Sequence, residues 1–196
     1  MYFTHSLAGA IVTKPLIDRV ESKFTEKEKT VLWFVGITAS VLPDFDITYS
    51  VLNHLSNHRD FITHGIFIYL IIALIIYSLS FLQDKKEFGR KFFKTLSLIF
   101  SAGIASHLFI DTLAGGISLL APLTYRVIGF GMLVKRGNGN WLTAYLKSWY
   151  MLVETLMVTS FGFIMKGKKY FTARIFALFY VLAALFAFVS ISVVFF

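Results

Sequence analysis

Cysteine does not occur in this chain. A disulfide framework and a thiolate metal site are therefore excluded, and any transition-metal site has to be built from imidazoles and carboxylates. Charge is also scarce. Asp, Glu, Lys and Arg together supply 15% of the 196 residues, with only 11 acids among them. Proline occurs three times, so each proline marks a specific break in an otherwise helix-compatible sequence. Hydrophobic residues make up 57% and Phe alone occurs 22 times, above the roughly 45–50% apolar content of soluble domains. The net charge of +8 raises the question of nucleic acid. The basic groups are spread over helix ends rather than gathered on a recognition element, so nucleic-acid binding is not read as a main role.

The apolar residues come in runs. Residues 3–22 have helical character, with Pro15 as the site of a kink or a division into two short helices. The first residues, MYFTHSLAGAIV, lack the basic start of a signal peptide and are read as part of the mature protein. A charged turn follows, in which Thr25-Glu26-Lys27-Glu28 has the pattern of a helix start. Residues 30–42 stop at Pro43; at 1.5 Å per residue this run is roughly 20 Å long, short of a ~30 Å hydrocarbon core. Residues 65–82, about 27 Å long, form the strongest span. Residues 95–114 form the next helix, with Ser101, Gly103 and Ala105 suited to close packing, and Gly115-Gly116 ends it. Residues 117–140 read as a loop with a re-entrant piece, and 141–165 and 171–196 as two further spans. No internal repeat is present. The chain is read as a single membrane-embedded domain over residues 1–196, an all-α, polytopic bundle of about five to six helices.

Polar chemistry concentrates in two places. The stretch 43–64, PDFDITYSVLNHLSNHRDFITH, carries Asp44, Asp46, His58, Arg59 and His64; the later SHLFID carries His107 and Asp111. His107 and Asp111 stand four apart, so a helix projects both from one face. A plainer reading has His107 hydrogen-bonded within the bundle and Asp111 capping a helix or pairing with Arg126. Leu42 precedes proline and is disfavoured in a helix, which predicts a non-helical elbow bearing Asp44 and Asp46; an ordinary Pro-Asp surface turn is the alternative. His58 and His64 are six apart and would face apart on one helix, but a loop before a helix beginning near Thr63 lets both turn inward. Arg59 suits an anionic oxygen such as phosphate.

Fourteen of the nineteen Lys and Arg residues lie in 14–29, 85–94 and 166–174. The positive-inside rule makes those zones cytoplasmic. Alternating helices then carry His5, the elbow, His64, and the pair His107 and Asp111 to one outer edge of the membrane, although the rule used no histidine or acid. Lys135 and Arg136 fall on the other side. Under this topology Glu154 lies about 20 Å from that edge by helical rise, and a structural pairing is expected for it.

The ordered set His5, Leu42-Pro43-Asp44-Phe45-Asp46, His58-Arg59, Thr63-His64, Ser106-His107-Leu108, Asp111-Thr112, Gly116 and Leu120-Ala121-Pro122 resembles the YdjM-like family. These are bacterial and archaeal inner-membrane proteins described as metal-dependent hydrolases, one of them as LexA-binding. The resemblance covers residues 1–125, with Gly65 standing where the pattern has Ser. More remotely, the family is similar to zinc-dependent phospholipase C and single-strand nucleases, which implies phosphoester chemistry.

The sequence thus leads to a membrane-bound, metal-dependent hydrolase of the bacterial or archaeal cytoplasmic membrane, its site on the extracytoplasmic side. His5, Asp44, Asp46, His58, His64, His107 and Asp111 are the expected ligands. Neutral imidazoles and carboxylates suit zinc, and also manganese or iron, and this many ligands allows one to three divalent ions. Water activated by the metal would be the nucleophile, with Asp44 or Asp46 as general base and Arg59 on the anionic part of the substrate. A site at the membrane edge favours a lipid or lipid-linked phosphoester. Two other classes compete: a transporter or ion-handling protein, and a non-catalytic scaffold stapled by metal.

Overall fold

The computed structural model describes residues 4–20, 23–53, 59, 61–83, 87–130 and 149–165. Regular elements among them are all helical: α1 (Thr4–Asp18), α2 (Glu26–Ala39), a 3-10 turn (Leu42–Phe45), α3 (Asp46–Leu52), a second turn (Ile62–His64), α4 (Ile66–Ser78), a third (Phe81–Gln83), α5 (Glu87–Ala114) and α6 (Trp149–Met165). Ile66–Gln83 and Gly89–Ala114 are each long and apolar enough to cross a membrane. The expected span 171–196 and the candidate ligand His58 lie outside the described residues.

Local chemistry explains the boundaries. α2 opens a turn earlier than the apolar run, because Thr25 and Glu28 form a reciprocal capping box that satisfies the first free N–H groups. Pro15 stays inside α1 without dividing it. α5 starts two turns before residue 95, where Arg90, Lys91 and Lys94 are good helix formers and Phe92 packs against the Phe24 cluster. Its C-terminus is closed by the N–H groups of Gly115 and Gly116, both bonded to the Asp111 carbonyl, with Gly116 at φ 94°.

The helices α1, α2 and α5 approach closely through glycines. A Cβ on Gly103 would stand 2.6 Å from the Gly36 carbonyl oxygen and 2.9 Å from Ala39 Cβ, and one on Gly9 would collide with Ser40. Of the three small residues expected to pack, Gly103 does so, whereas Ala105 faces outward. One apolar cluster, including Tyr69, Phe100, Ile104 and Leu108, joins α4 to α5 beneath the site. A second, Ile17, Phe24, Leu32 and Ile99, closes the opposite end. The outer face of α4 presents Leu70, Ile71, Leu74 and Ile75 unburied, as suits a helix whose surroundings are hydrocarbon.

The α2–α5 contact has a direct test. Gly103→Val presses a side chain on backbone that cannot yield, at a cost of about 1–3 kcal/mol, and should lower the melting temperature in detergent by several degrees. Gly89→Val meets only the flexible Gln83 side chain and should melt like wild type; equal melting of both variants would contradict the packing.

Candidate metal centre

Four separate segments deliver the site to one end of the bundle. α2 ends at Ala39, and Pro43 turns the chain into a short 3-10 elbow carrying Asp44. The expected non-helical elbow is thus partly helical: Asp46 opens the short helix α3, because Pro43 in the first turn of a 3-10 segment needs no N–H partner. Ile62–His64 forms another tight turn, whose end leans on the loop after α5: the Ile66 N–H donates to the Leu119 carbonyl at 2.9 Å, and the Ser118 N–H to the Arg59 carbonyl at 3.2 Å. A Cβ at Gly65 would press on the Ala121 carbonyl, which explains glycine at that position. α5 contributes His107 and Asp111 one turn apart, and the first turn of α1 contributes His5.

One ligand atom from each of Asp44, His64, His107 and Asp111 can be chosen so that all lie within 4.8 Å of one another. His107 Nε2 is 3.3 Å from Asp111 Oδ2 and 3.7 Å from Asp44 Oδ1. His64 Nε2 is 3.4 Å from Asp111 Oδ2 and 3.6 Å from Asp44 Oδ1. Donors bound at about 2.0–2.1 Å to a tetrahedral cation are separated by roughly 3.3–3.4 Å, so these four distances are close to those of a ligand shell. His107 Nε2 and Asp111 Oδ2 are buried and make no hydrogen bond, although they point at each other. Such orphaned polar atoms are costly in a dry interior, and a shared cation satisfies both. With the imidazoles neutral, three carboxylates (Asp44, Asp46, Asp111) against the Arg59 guanidinium leave two negative charges, the balance of one divalent ion.

The remaining predicted residues surround this group. His107 donates from Nδ1 to the Ser40 carbonyl at 2.8 Å. That carbonyl, at the end of α2, is one that the helix leaves unpaired, and using it fixes the tautomer with Nε2 bare. Asp46 stands behind His64, 3.2 Å from its Nδ1, and accepts the Thr63 hydroxyl; it orients a ligand and is not one of the four. Tyr69 donates to the Thr63 carbonyl at 2.6 Å. His5 stacks on His107 with ring centroids 3.9 Å apart, and its Nε2 addresses the other oxygen of each carboxylate, 3.5 Å from Asp111 Oδ1 and 3.7 Å from Asp44 Oδ2. Arg59 Nη2 donates to Asp111 Oδ1 at 2.9 Å and its side chain remains 15% exposed at the margin. Asp111 therefore pairs with Arg59, not with Arg126 as the plainer reading had it.

Electrostatics favour positive charge at the centre. Burial alone would lower the pKa of His64, but contacts with Asp111, Asp44 and Asp46 outweigh it and raise it to about 10. Burial of Asp44 pushes the other way and is outweighed by His64, His107 and His5, which hold its carboxyl below the usual range.

Sequence reasoning misplaced Glu154. It is buried and accepts the Thr4 hydroxyl at 3.1 Å, beside His5 and at the level of the site. The pairing expected for it is present, but it is made with the first turn of α1, so the depth taken from helical rise was too great. Ser40 was missed altogether, since it acts through a carbonyl that any residue carries.

The two kinds of carboxylate should separate experimentally. Asp111→Asn should abolish stoichiometric binding of zinc in isothermal titration of detergent-purified, chelator-treated protein. Asp46→Asn should weaken binding by about 10–100-fold, the usual cost of losing a residue that orients a ligand. Wild-type affinity in the Asp46 variant would remove it from that role.

No curated protein and no solved structure matches the chain. The family model described as YdjM inner membrane protein matches residues 1–193, well past the residues 1–125 on which the resemblance was read. An inner-membrane family, with two helices fit to cross a bilayer and a His/Asp group able to hold a metal ion, accounts for the long apolar runs and for the polar residues packed at one end. The chain belongs to the YdjM inner membrane protein family.

Proposed function

We propose that this protein is a membrane-bound, metal-dependent hydrolase acting on a phosphoester of a lipid or lipid-linked substrate. The observation that supports the reading is the close grouping of His64, His107, Asp44 and Asp111, one ligand atom of each within 4.8 Å of the others. Zinc suits this nitrogen and oxygen donor set, and manganese or iron would also be accepted. When bound, such an ion supplies Lewis acidity and a nucleophile from water near neutral pH.

The chain's own residues have distinct tasks. Ser40 and Asp46 hold the two imidazoles in the tautomer that leaves Nε2 available. Arg59 fixes one oxygen of Asp111 and, at the exposed margin, attracts an anionic oxygen of the substrate. Asp44 is half-buried and stays ionised, so it can accept a proton from water. His5 contacts the far oxygens of both carboxylates and would help to hold a further ion where more than one binds. The basic ends of α1, α2 and α5 lie away from this end, which supports a multi-pass topology with the site on the extracytoplasmic side.

Purified protein in mixed micelles should release a phosphorylated headgroup or phosphate from some member of a phospholipid and lipid-linked phosphate panel. Chelation or Asp111→Asn should reduce turnover to background, and Arg59→Gln should mainly raise KM. Stoichiometric metal with no turnover on any member would leave a metal-stapled scaffold as the better account.

A further inference from the structure

Where α5 ends and α4 begins, the protein turns outward an apolar surface that neither core cluster uses. Residues 122–130 are all exposed, with Leu123 at 77%, Tyr125 at 57% and Phe130 at 73%. These tips are held out by a hydrogen-bonded frame. Ile117 and Ile128 exchange backbone bonds of 3.0 and 2.9 Å, and the Phe130 N–H donates to the Thr112 carbonyl at 3.0 Å. The Ser118 hydroxyl donates to the Tyr125 carbonyl at 3.2 Å.

The position of this loop identifies what it meets. It follows Ala114, the last residue of one candidate span, and its Leu119 carbonyl holds Ile66, the first residue of the other. Two antiparallel spans that end at the same level place the loop at the boundary between hydrocarbon and headgroups. Aromatic rings and an arginine beside apolar tips are the residues this layer favours. The loop also encloses a recess of ≈ 570 Å³ lined by Leu120, Thr124, Arg126, Val127, Ile128 and Gly129. Among the described residues its wall holds one cation and no acid, the complement of a phosphodiester anion with apolar tails.

We propose that the loop 120–130 is an interfacial lipid-binding element: its apolar tips sit in the headgroup–acyl boundary, and the Arg126 recess takes the phosphate of an anionic phospholipid. Ser118 ties the loop to the backbone of Arg59, whose side chain holds Asp111. A lipid in the recess would thereby be linked to the candidate metal centre through this chain of hydrogen bonds. This consequence rests on the hydrolase reading; the binding itself does not.

The absence of native cysteine makes the test direct. Nitroxide labels on Leu123→Cys and Tyr125→Cys, in vesicles of phosphatidylethanolamine and phosphatidylglycerol, should collide more with oxygen than with a water-soluble nickel relaxant. A label on Lys27→Cys should show the reverse. Arg126→Gln should lower the phosphatidylglycerol retained per protein in native mass spectrometry by about fivefold, the effect of one cation at an anionic surface, while Arg126→Lys retains it. Labels at 123 and 125 as water-accessible as at 27, or full lipid retention by Arg126→Gln, would overturn the proposal. Neither readout involves hydrolysis, so its failure is separate from that of the catalytic reading.

Discussion

A carboxylate fully buried in an apolar helix has to be compensated, and Asp111 is that carboxylate. The effective cost of burying an unpaired ion in a protein is several kcal/mol, enough to dominate the choice of everything nearby. Arg59 compensates one oxygen at 2.9 Å. The other faces Nε2 of His64 and of His107 at 3.4 and 3.3 Å. The carboxylates call for positive charge among these nitrogens, which a proton on His64 or a cation shared by the four side chains would supply.

The rest of the fold is arranged to keep those atoms converging. Close contact at Gly36 and Gly103 brings the end of α2 against α5, near enough for the Ser40 carbonyl to accept a hydrogen bond from His107 Nδ1. A larger residue at Gly103 would separate the helix whose backbone orients the ligand from the helix that carries it, and one at Gly36 would press on Thr13 of α1. Likewise the loop after α5 folds back on Arg59 and Ile66 through two backbone hydrogen bonds. It thereby fixes the turn bearing His64 without using any side chain of its own. Precision at the centre comes from backbone groups at helix ends, where unpaired carbonyls and N–H groups are available.

Much of this was legible in the sequence because its periodicities are strong. The four-residue spacing of His107 and Asp111, the Pro43 break and the asymmetry of Lys and Arg were enough to bring His5, Asp44, His64, His107 and Asp111 to one end. What spacing could not show was which carboxylate faces the centre of the His/Asp group. Asp44 and Asp46 differ by two residues, but the 3-10 elbow sends one into the centre and the other behind His64. The partner of Asp111 was equally open, since Arg59 and Arg126 are both within reach of a flexible chain and only the loop geometry decides. Depth also failed for Glu154, because helical rise measures distance along one helix and not the level at which another helix meets it.

X-ray absorption at the metal edge of protein purified without chelator tests the central claim most directly. The account predicts stoichiometric metal in a shell of about four nitrogen and oxygen donors near 2.0–2.1 Å, with an imidazole scattering signature that weakens when His107 is replaced. Absence of bound metal after incubation with zinc, manganese or iron, or a signature unchanged by His107→Ala, would contradict it.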